Sequence, residues 1–300
     1  MRAAEGAEVM QGIAGEGARV TQLRGPGRNP HSGGGTGAVL DAALDLRDRD
    51  ILQRVRAAIR HRQVMLVFQP VVQARAPRNV VFHEAMLRVM DETGRIVPAR
   101  DFIWEVEDLE EGRILDCLAL EQGLAELIRA PGLRLSVNMS ARSIGYRRWM
   151  QVLDKGLGAD PTLAGRLILE ISESSAMLLP ELVIGFMNDL HRRGITFAMD
   201  DFGAGQTVLR HFKRFSFDIL KIDGQVISGI DRDPDNQVLL RAITAIAEQF
   251  DMFTVAESVE TRAEAELAAA CGVTCLQGYH LGVPVPRPGW RSADAPASPA

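Results

Sequence analysis

Between Met65 and Leu276 the chain alternates between short apolar runs and longer stretches of helical periodicity, and that rhythm admits few folds. The apolar runs are Met65–Val72, Val81–Val89, Leu133–Met139, Leu167–Ile171, Ile195–Met199, Phe217–Ile222, Phe253–Ala256 and Val273–Leu276. Most are continuous rather than alternating, as strands covered on both faces are. Helix-like stretches at Phe102–Ile128, Ser143–Leu157, Leu178–Arg193, Gln206–Phe215, Asn236–Phe250 and Arg262–Cys271 stand between most of them. Repeated strand–helix units predict an α/β protein with a largely parallel sheet. About eight such strands in this length favour a closed (β/α)8 TIM-type barrel over an open sheet. The first two runs are joined by a link too short for a crossover helix. They are therefore expected to pair antiparallel, a modification of the regular barrel.

The flanks read differently. Residues 1–38 are rich in Gly, Ala, Arg and Ser, carry no sustained apolar periodicity, and read as a flexible tail. From Val39 to about Arg62, apolar Leu44, Ile51, Leu52, Val55 and Ile59 recur at helical spacing, so the barrel domain is expected over 39–290 with an N-terminal helix included. Residues 291–300 read as a disordered tail. A formal net charge of −5 gives no electrostatic footprint for a nucleic-acid polymer. The apolar runs are too short to span a membrane, and the N-terminus lacks the pattern of a signal peptide. Cys117, Cys271 and Cys275 have no spacing suited to zinc and read as buried thiols of a reducing compartment. The expectation is a soluble cytoplasmic protein.

Barrels of this class gather their chemistry at the C-terminal ends of the strands. Here those ends carry Glu84 and Arg88, Asn138, Glu170 and Glu173, Asp200 and Asp201, Lys221, Glu257 and Glu260, and Gln277. Each alone reads most simply as a solvated strand end. Converging on one rim, so many like charges repel unless a cation lies among them. Carboxylate and amide oxygens suit hard ions such as Mg²⁺ or Mn²⁺, and their number suggests a two-metal site of the kind that activates water for in-line phosphoryl displacement. Lys221 and Arg88 would then contact an anionic substrate. His83 and His280 are expected to face away from the mouth by strand alternation, and His61, His191 and His211 to lie on helix surfaces.

The segments FQPVV (Phe68–Val72), EAMLR (Glu84–Arg88), VNMS, LEISES, DDFGAG, FDILKID, VAESVE and QGYHLGVP, in this order from about Val64 to Pro286, resemble the EAL-domain family of bacterial cyclic di-GMP phosphodiesterases. The resemblance implies a modified (β/α)8 barrel with an antiparallel first strand. Its metal ligands would be Glu84, Asn138, Glu170, Asp200, Asp201 and Glu257. Lys221 would orient the attacking water, with Glu257 beside it as candidate base. Gln277 would complete the second-metal neighbourhood, and Gln69 and Arg88 would contact the dinucleotide. Glu173 would anchor the loop after Asp201, which in the family couples metal binding to dimerisation. The implied reaction is hydrolysis of cyclic di-GMP to linear pGpG with Mg²⁺ or Mn²⁺, by a homodimer.

The chain departs from that pattern at four places. Met86 stands for the signature leucine, a near volume-conserving swap that costs little where the position faces a core. Gln206, Thr207 and Val208 replace Tyr-Ser-Ser after the metal loop, Ser258 replaces a glycine, and Trp104 a proline. The catalytic set is intact while the loop that positions it is altered. The alternative is therefore a weak or inactive cyclic di-GMP receptor or protein-interaction module.

Overall fold

A computed structural model describes residues 50–204 and 214–292. Nine strands form one sheet: β1 (Val64–Gln73), β2 (Ala76–Met90), β3 (Ile96–Pro98), β4 (Leu135–Asn138), β5 (Leu167–Ser172), β6 (Thr196–Phe202), β7 (Ile219–Ile222), β8 (Phe253–Ala256) and β9 (Cys275–Leu276). Eight close into a barrel in the order β1-β9-β8-β7-β6-β5-β4-β2, with β2 returning to β1. β1 is antiparallel to both neighbours, and every other barrel pair is parallel. The expected antiparallel start is present: Gln73 pairs with Ala76, so β1 and β2 form one long hairpin. β3 was not expected from the sequence. It adds to the free end of β2 through Arg88, Val89 and Met90.

The helices are α1 (50–60), α2 (Ile103–Val106), α3 (Glu110–Arg129), α4 (Arg147–Ala159), α5 (Glu173–Leu178), α6 (Pro180–His191), α7 (Gly224–Ile227), α8 (Pro234–Gln249), α9 (Arg262–Ala270) and α10 (Gly289–Ser292). The single helix expected over Phe102–Ile128 is two. A Cβ on Gly112 would lie 2.6 Å from the Val106 carbonyl oxygen, so the start of α3 abuts the end of α2 and does not continue it. α6 begins at Pro180, whose missing N–H is harmless only in a first turn, which separates it from α5. The helix expected over Gln206–Phe215 lies almost wholly outside the described residues, as do the tail over 1–38 and the first part of the helix expected from Val39.

The core has three parts. A main cluster fills the space between barrel and helices. A second, built on Val55, Ala58, Phe102, Val106 and Leu115, seats α1 and α2 against β2. The third is the barrel floor, formed by Val71, Phe82, Ile168, Ala198, Ile219, Val255 and Cys275 from seven strands.

The chain then crosses back over β1. Phe68 and Val285 exchange backbone hydrogen bonds of 2.9 and 3.0 Å, and Trp290 meets Phe68 and His83 edge-on at 5.4 and 4.5 Å. Arg291 donates to buried Glu126 at 2.9 and 3.0 Å. The helix that carries Arg291, Gly289–Ser292, thus takes in the first two residues of the expected C-terminal tail.

Candidate active site

Side chains in a strand alternate between faces, so a floor residue and the one two positions further along point into the same interior. Two steps beyond Phe82, Ile168, Ala198, Ile219, Val255 and Cys275 stand Glu84, Glu170, Asp200, Lys221, Glu257 and Gln277. β1 runs the other way, and two steps back from Val71 stands Gln69. One parity rule places seven polar side chains in a layer above an apolar floor, and Asn138 joins them from the end of β4.

Lys221 is the hub. Only 1% exposed, its Nζ lies 2.7 Å from Glu257, 2.8 Å from Glu170, 2.9 Å from Asp200 and 3.2 Å from Glu84. An ammonium has three N–H donors and cannot serve four carboxylates. Asp200 Oδ1 is near enough for an ion pair, yet it accepts no hydrogen bond, and neither does the second oxygen of Glu170, Oε1. Glu84 is the best served, accepting from Asn138 at 2.9 Å and Gln277 at 2.6 Å. Gln277 also donates to Gln69 at 3.1 Å, and Gln69 to the carbonyl of Gly282 at 2.9 Å.

The electrostatics follow from burial against this single cation. Burial alone would lower the Lys221 ammonium, but Asp200, Glu170, Glu257 and Glu84 hold it well above its usual range. Burial also raises the carboxyls: Glu170 to about 8, Asp201 to about 6 with help from the neighbouring Asp200 charge, and Glu257 well above the ordinary value. Glu84 goes the other way. Its burial is outweighed by Lys221 and by the hydrogen bonds from Gln277 and Asn138, which pull it down. Oxygens of Asp200, Asp201 and Glu257 lie within 4.8 Å of one another. Two buried oxygens without donors, a surplus of carboxylates over cations and an all-oxygen donor set fit a hard divalent cation.

The layer opens into a cavity of about 620 Å³ that Arg88, Trp104, Asp116, Ser258 and Tyr279 also line. The Arg88 guanidinium donates to the Leu87 carbonyl at 2.8 Å and touches Met86 Sδ at 3.8 Å. Met86 lines the cavity wall, so the condition under which its exchange for leucine costs little, a position facing the core, is not met. His83 and His280 do not line the cavity; His83 packs on Trp290. His191 is half-buried, bonded to Asp218 at 3.0 Å, and not a free surface residue.

Asp116 was not picked out from the sequence. From α3 it accepts the Ser140 N–H at 3.0 Å and the Ser143 hydroxyl at 2.6 Å, which pins the loop after Asn138, and burial raises its carboxyl to about 7. The only available signal was one aspartate set between Leu115 and Cys117.

A model of the EAL domain matches residues 52–284. The chain belongs to the EAL domain family. It is 28% identical over 239 residues to the probable cyclic di-GMP phosphodiesterase PdeN of Escherichia coli K12, covering 78% of this chain and 46% of that protein. It is 27% identical over 247 residues to the cyclic di-GMP phosphodiesterase PdeF of the same organism, covering 81% of this chain and 33% of that protein. The chain thus spans between a third and a half of these relatives. The structure of the PaMucR phosphodiesterase in its c-di-GMP complex superposes with a TM-score of 0.69 at 29% identity, covering 79% of this chain and 98% of that one. The FimX EAL domain of Pseudomonas aeruginosa, at 22% identity and a TM-score of 0.71, shares the fold.

Set against the EAL pattern, two backbone positions stand out. Asp201 and Ser258 both adopt left-handed conformations, at φ 56° and 55°. An aspartate is tolerated there, whereas Ser258 takes up a conformation that its family's glycine adopts without strain. A Cβ on Gly224 would come within 2.7 Å of the Ser258 side chain, so the serine has little room to relax. Glu173, at the head of α5, does not line the cavity; its carboxylate accepts the Gly203 N–H at 3.4 Å, two residues after Asp201. Residues 206–208 lie outside the described residues.

Proposed function

We propose that this EAL domain is a metal-dependent phosphodiesterase that hydrolyses one phosphodiester of cyclic di-GMP to give linear pGpG. The observation that carries the reading is the closed layer of Glu84, Glu170, Asp200 and Glu257 around Lys221, with buried carboxylate oxygens that no protein donor serves. The relatives' names supply the substrate class.

Glu84, Asn138, Glu170, Asp200, Asp201 and Glu257 would hold Mg²⁺ or Mn²⁺, with Gln277 beside them. Bound there, the ions would lower the pKa of water and neutralise charge building on the phosphoryl oxygens. The protein's own part is positional and electrostatic. Lys221 orients the attacking water, and the Glu257 carboxylate, 2.7 Å from its Nζ and made more basic by burial, takes that water's proton. The water oxygen bonds to phosphorus, and the bond from phosphorus to the ester oxygen breaks. That leaving oxygen becomes a hydroxyl by taking a proton from solvent, to which Glu257 in turn releases its own. Arg88 offers its fork to a phosphate, while the paired amides of Gln69 and Gln277 fix the substrate beside Glu84. Glu173 serves as a positioning residue through Gly203. In this reading the working unit is a homodimer.

Incubation of the purified protein with cyclic di-GMP in Mg²⁺, Mn²⁺ or EDTA, followed by chromatography for pGpG, tests the assignment. Product that depends on metal is expected. Binding without product in either metal would favour the receptor reading, which the strained Ser258 beside Glu257 supports.

A further inference from the structure

Trp104 is 71% exposed, the highest value among the large hydrophobic side chains of the described residues. The chain has three tryptophans. Trp149 is 1% exposed, and Trp290 is wedged against Phe68 and His83. Leaving an indole in water forfeits burial that the other two gain at least in part, and a single exposed apolar side chain is ordinary, so what matters is where this one stands.

That position is specific. Trp104 lines the same cavity as Lys221 and the carboxylate layer, on a wall shared with Arg88 and Arg100, and Tyr279, 58% exposed, lines it too. The backbone beneath the ring is held firmly. Phe102 and Val106, two residues to either side, are buried in the cluster that seats α2, and the Glu107 N–H closes the turn onto the Ile103 carbonyl at 2.8 Å. An aromatic plane on a fixed turn, next to guanidinium groups and above a site for a phosphodiester, matches a ligand that carries a flat base on a charged backbone.

We propose that Trp104 is a stacking platform for one guanine of the dinucleotide. It would be a specificity-determining residue outside the catalytic layer, and this role rests on the phosphodiesterase reading above. Its effect falls on binding: the reacting phosphate is gripped deeper in, so losing the platform weakens the hold on the base and leaves the chemical step in place.

Steady-state kinetics of wild type, W104A and W104F, with thermal melts as a folding control, test it. W104A is expected to raise KM about tenfold or more with little change in kcat, and W104F to recover most of the loss. Tryptophan emission read in EDTA gives an independent measure: cyclic di-GMP should quench the wild type and leave W104F unchanged, because Trp149 and Trp290 lie away from the cavity. An unchanged KM in W104A, or a quench that persists in W104F, would overturn the role of Trp104 while leaving the enzyme assignment standing. A wild type that neither binds nor hydrolyses cyclic di-GMP would sink both.

Discussion

At the scale of single residues, Lys221 supports the stability of the carboxylate layer and, in the proposed reaction, its chemistry as well. Among the described residues it is the one buried cation facing Glu84, Glu170, Asp200 and Glu257. Lys221→Met should abolish turnover and lower the metal-free stability by about 3–5 kcal/mol, the cost of leaving buried charge uncompensated. Thermal melts in EDTA and in Mn²⁺ check this, and added metal should restore much of the loss. His83 makes a separate prediction. Burial lowers its pKa from 6.5 to about 4, so as pH falls the unfolded chain takes up a proton before the folded one. The stability tied to neutral His83 is present in full above about pH 6.5 and lost as pH falls to about 4, on the order of 2 kcal/mol once its partial exposure is allowed for. His83→Phe keeps the edge contact with Trp290. Urea titrations at several pH values should show its acid limb shallower than that of the wild type.

Residue identity was legible where parity rules and obscure where backbone shape does. Asp200, Glu257 and Gln277 could be placed because each closes an apolar run, and Glu84, Glu170 and Lys221 because each interrupts one. The left-handed backbone of Ser258 left no local mark in this sequence, and the wall position of Met86 depends on how far β2 extends past Glu84. Asp116 escaped because its partners, Ser140 and Ser143, come from another unit of the barrel.

At the scale of elements, the turn after β9 sets Gln277. A Cβ on Gly278 would fall 2.1 Å from the Val259 carbonyl oxygen, backbone against backbone, with no flexible side chain to give way. Gly278→Ala should therefore push apart the turns after β8 and β9, which carry Gln277 and Glu257. The expected cost is about 2–3 kcal/mol, as for overpacking elsewhere, together with weaker Mn²⁺ binding measured by calorimetry. Strand positions were readable because most barrel strands are compact apolar runs, the long β2 with its exposed first half being the exception. Helix boundaries were less so: the break between α2 and α3 comes from the close approach of Gly112 to Val106, and β3 exists because β2 outruns the barrel and offers it an edge.

At the scale of the whole molecule, closure was legible and its fastening was not. Counting strands predicts a ring, and the short first link predicts the reversed β1, but nothing local announces that Val285 pairs with Phe68 or that Arg291 reaches Glu126. Those contacts join positions far apart in the chain. Truncation after Pro284 removes the Phe68 bridge, the Trp290 packing and both Arg291 bonds together. It should lower the melting temperature by several degrees and expose Phe68, read as increased binding of a hydrophobic dye.

The reversed first strand has a consequence in time as well as in space. Gln69 and Gln277 meet at 3.1 Å across the seam where the two ends of the barrel join, and Glu84 bonds both Gln277 and Lys221. No contiguous fragment holds the layer, because its members run from Gln69 to Gln277 and each comes from a different strand or the turn just after it. Helices can form early from local contacts, but joining such distant segments comes late in folding. During refolding, helical signal should return first, and catalysis should appear only when the seam shuts.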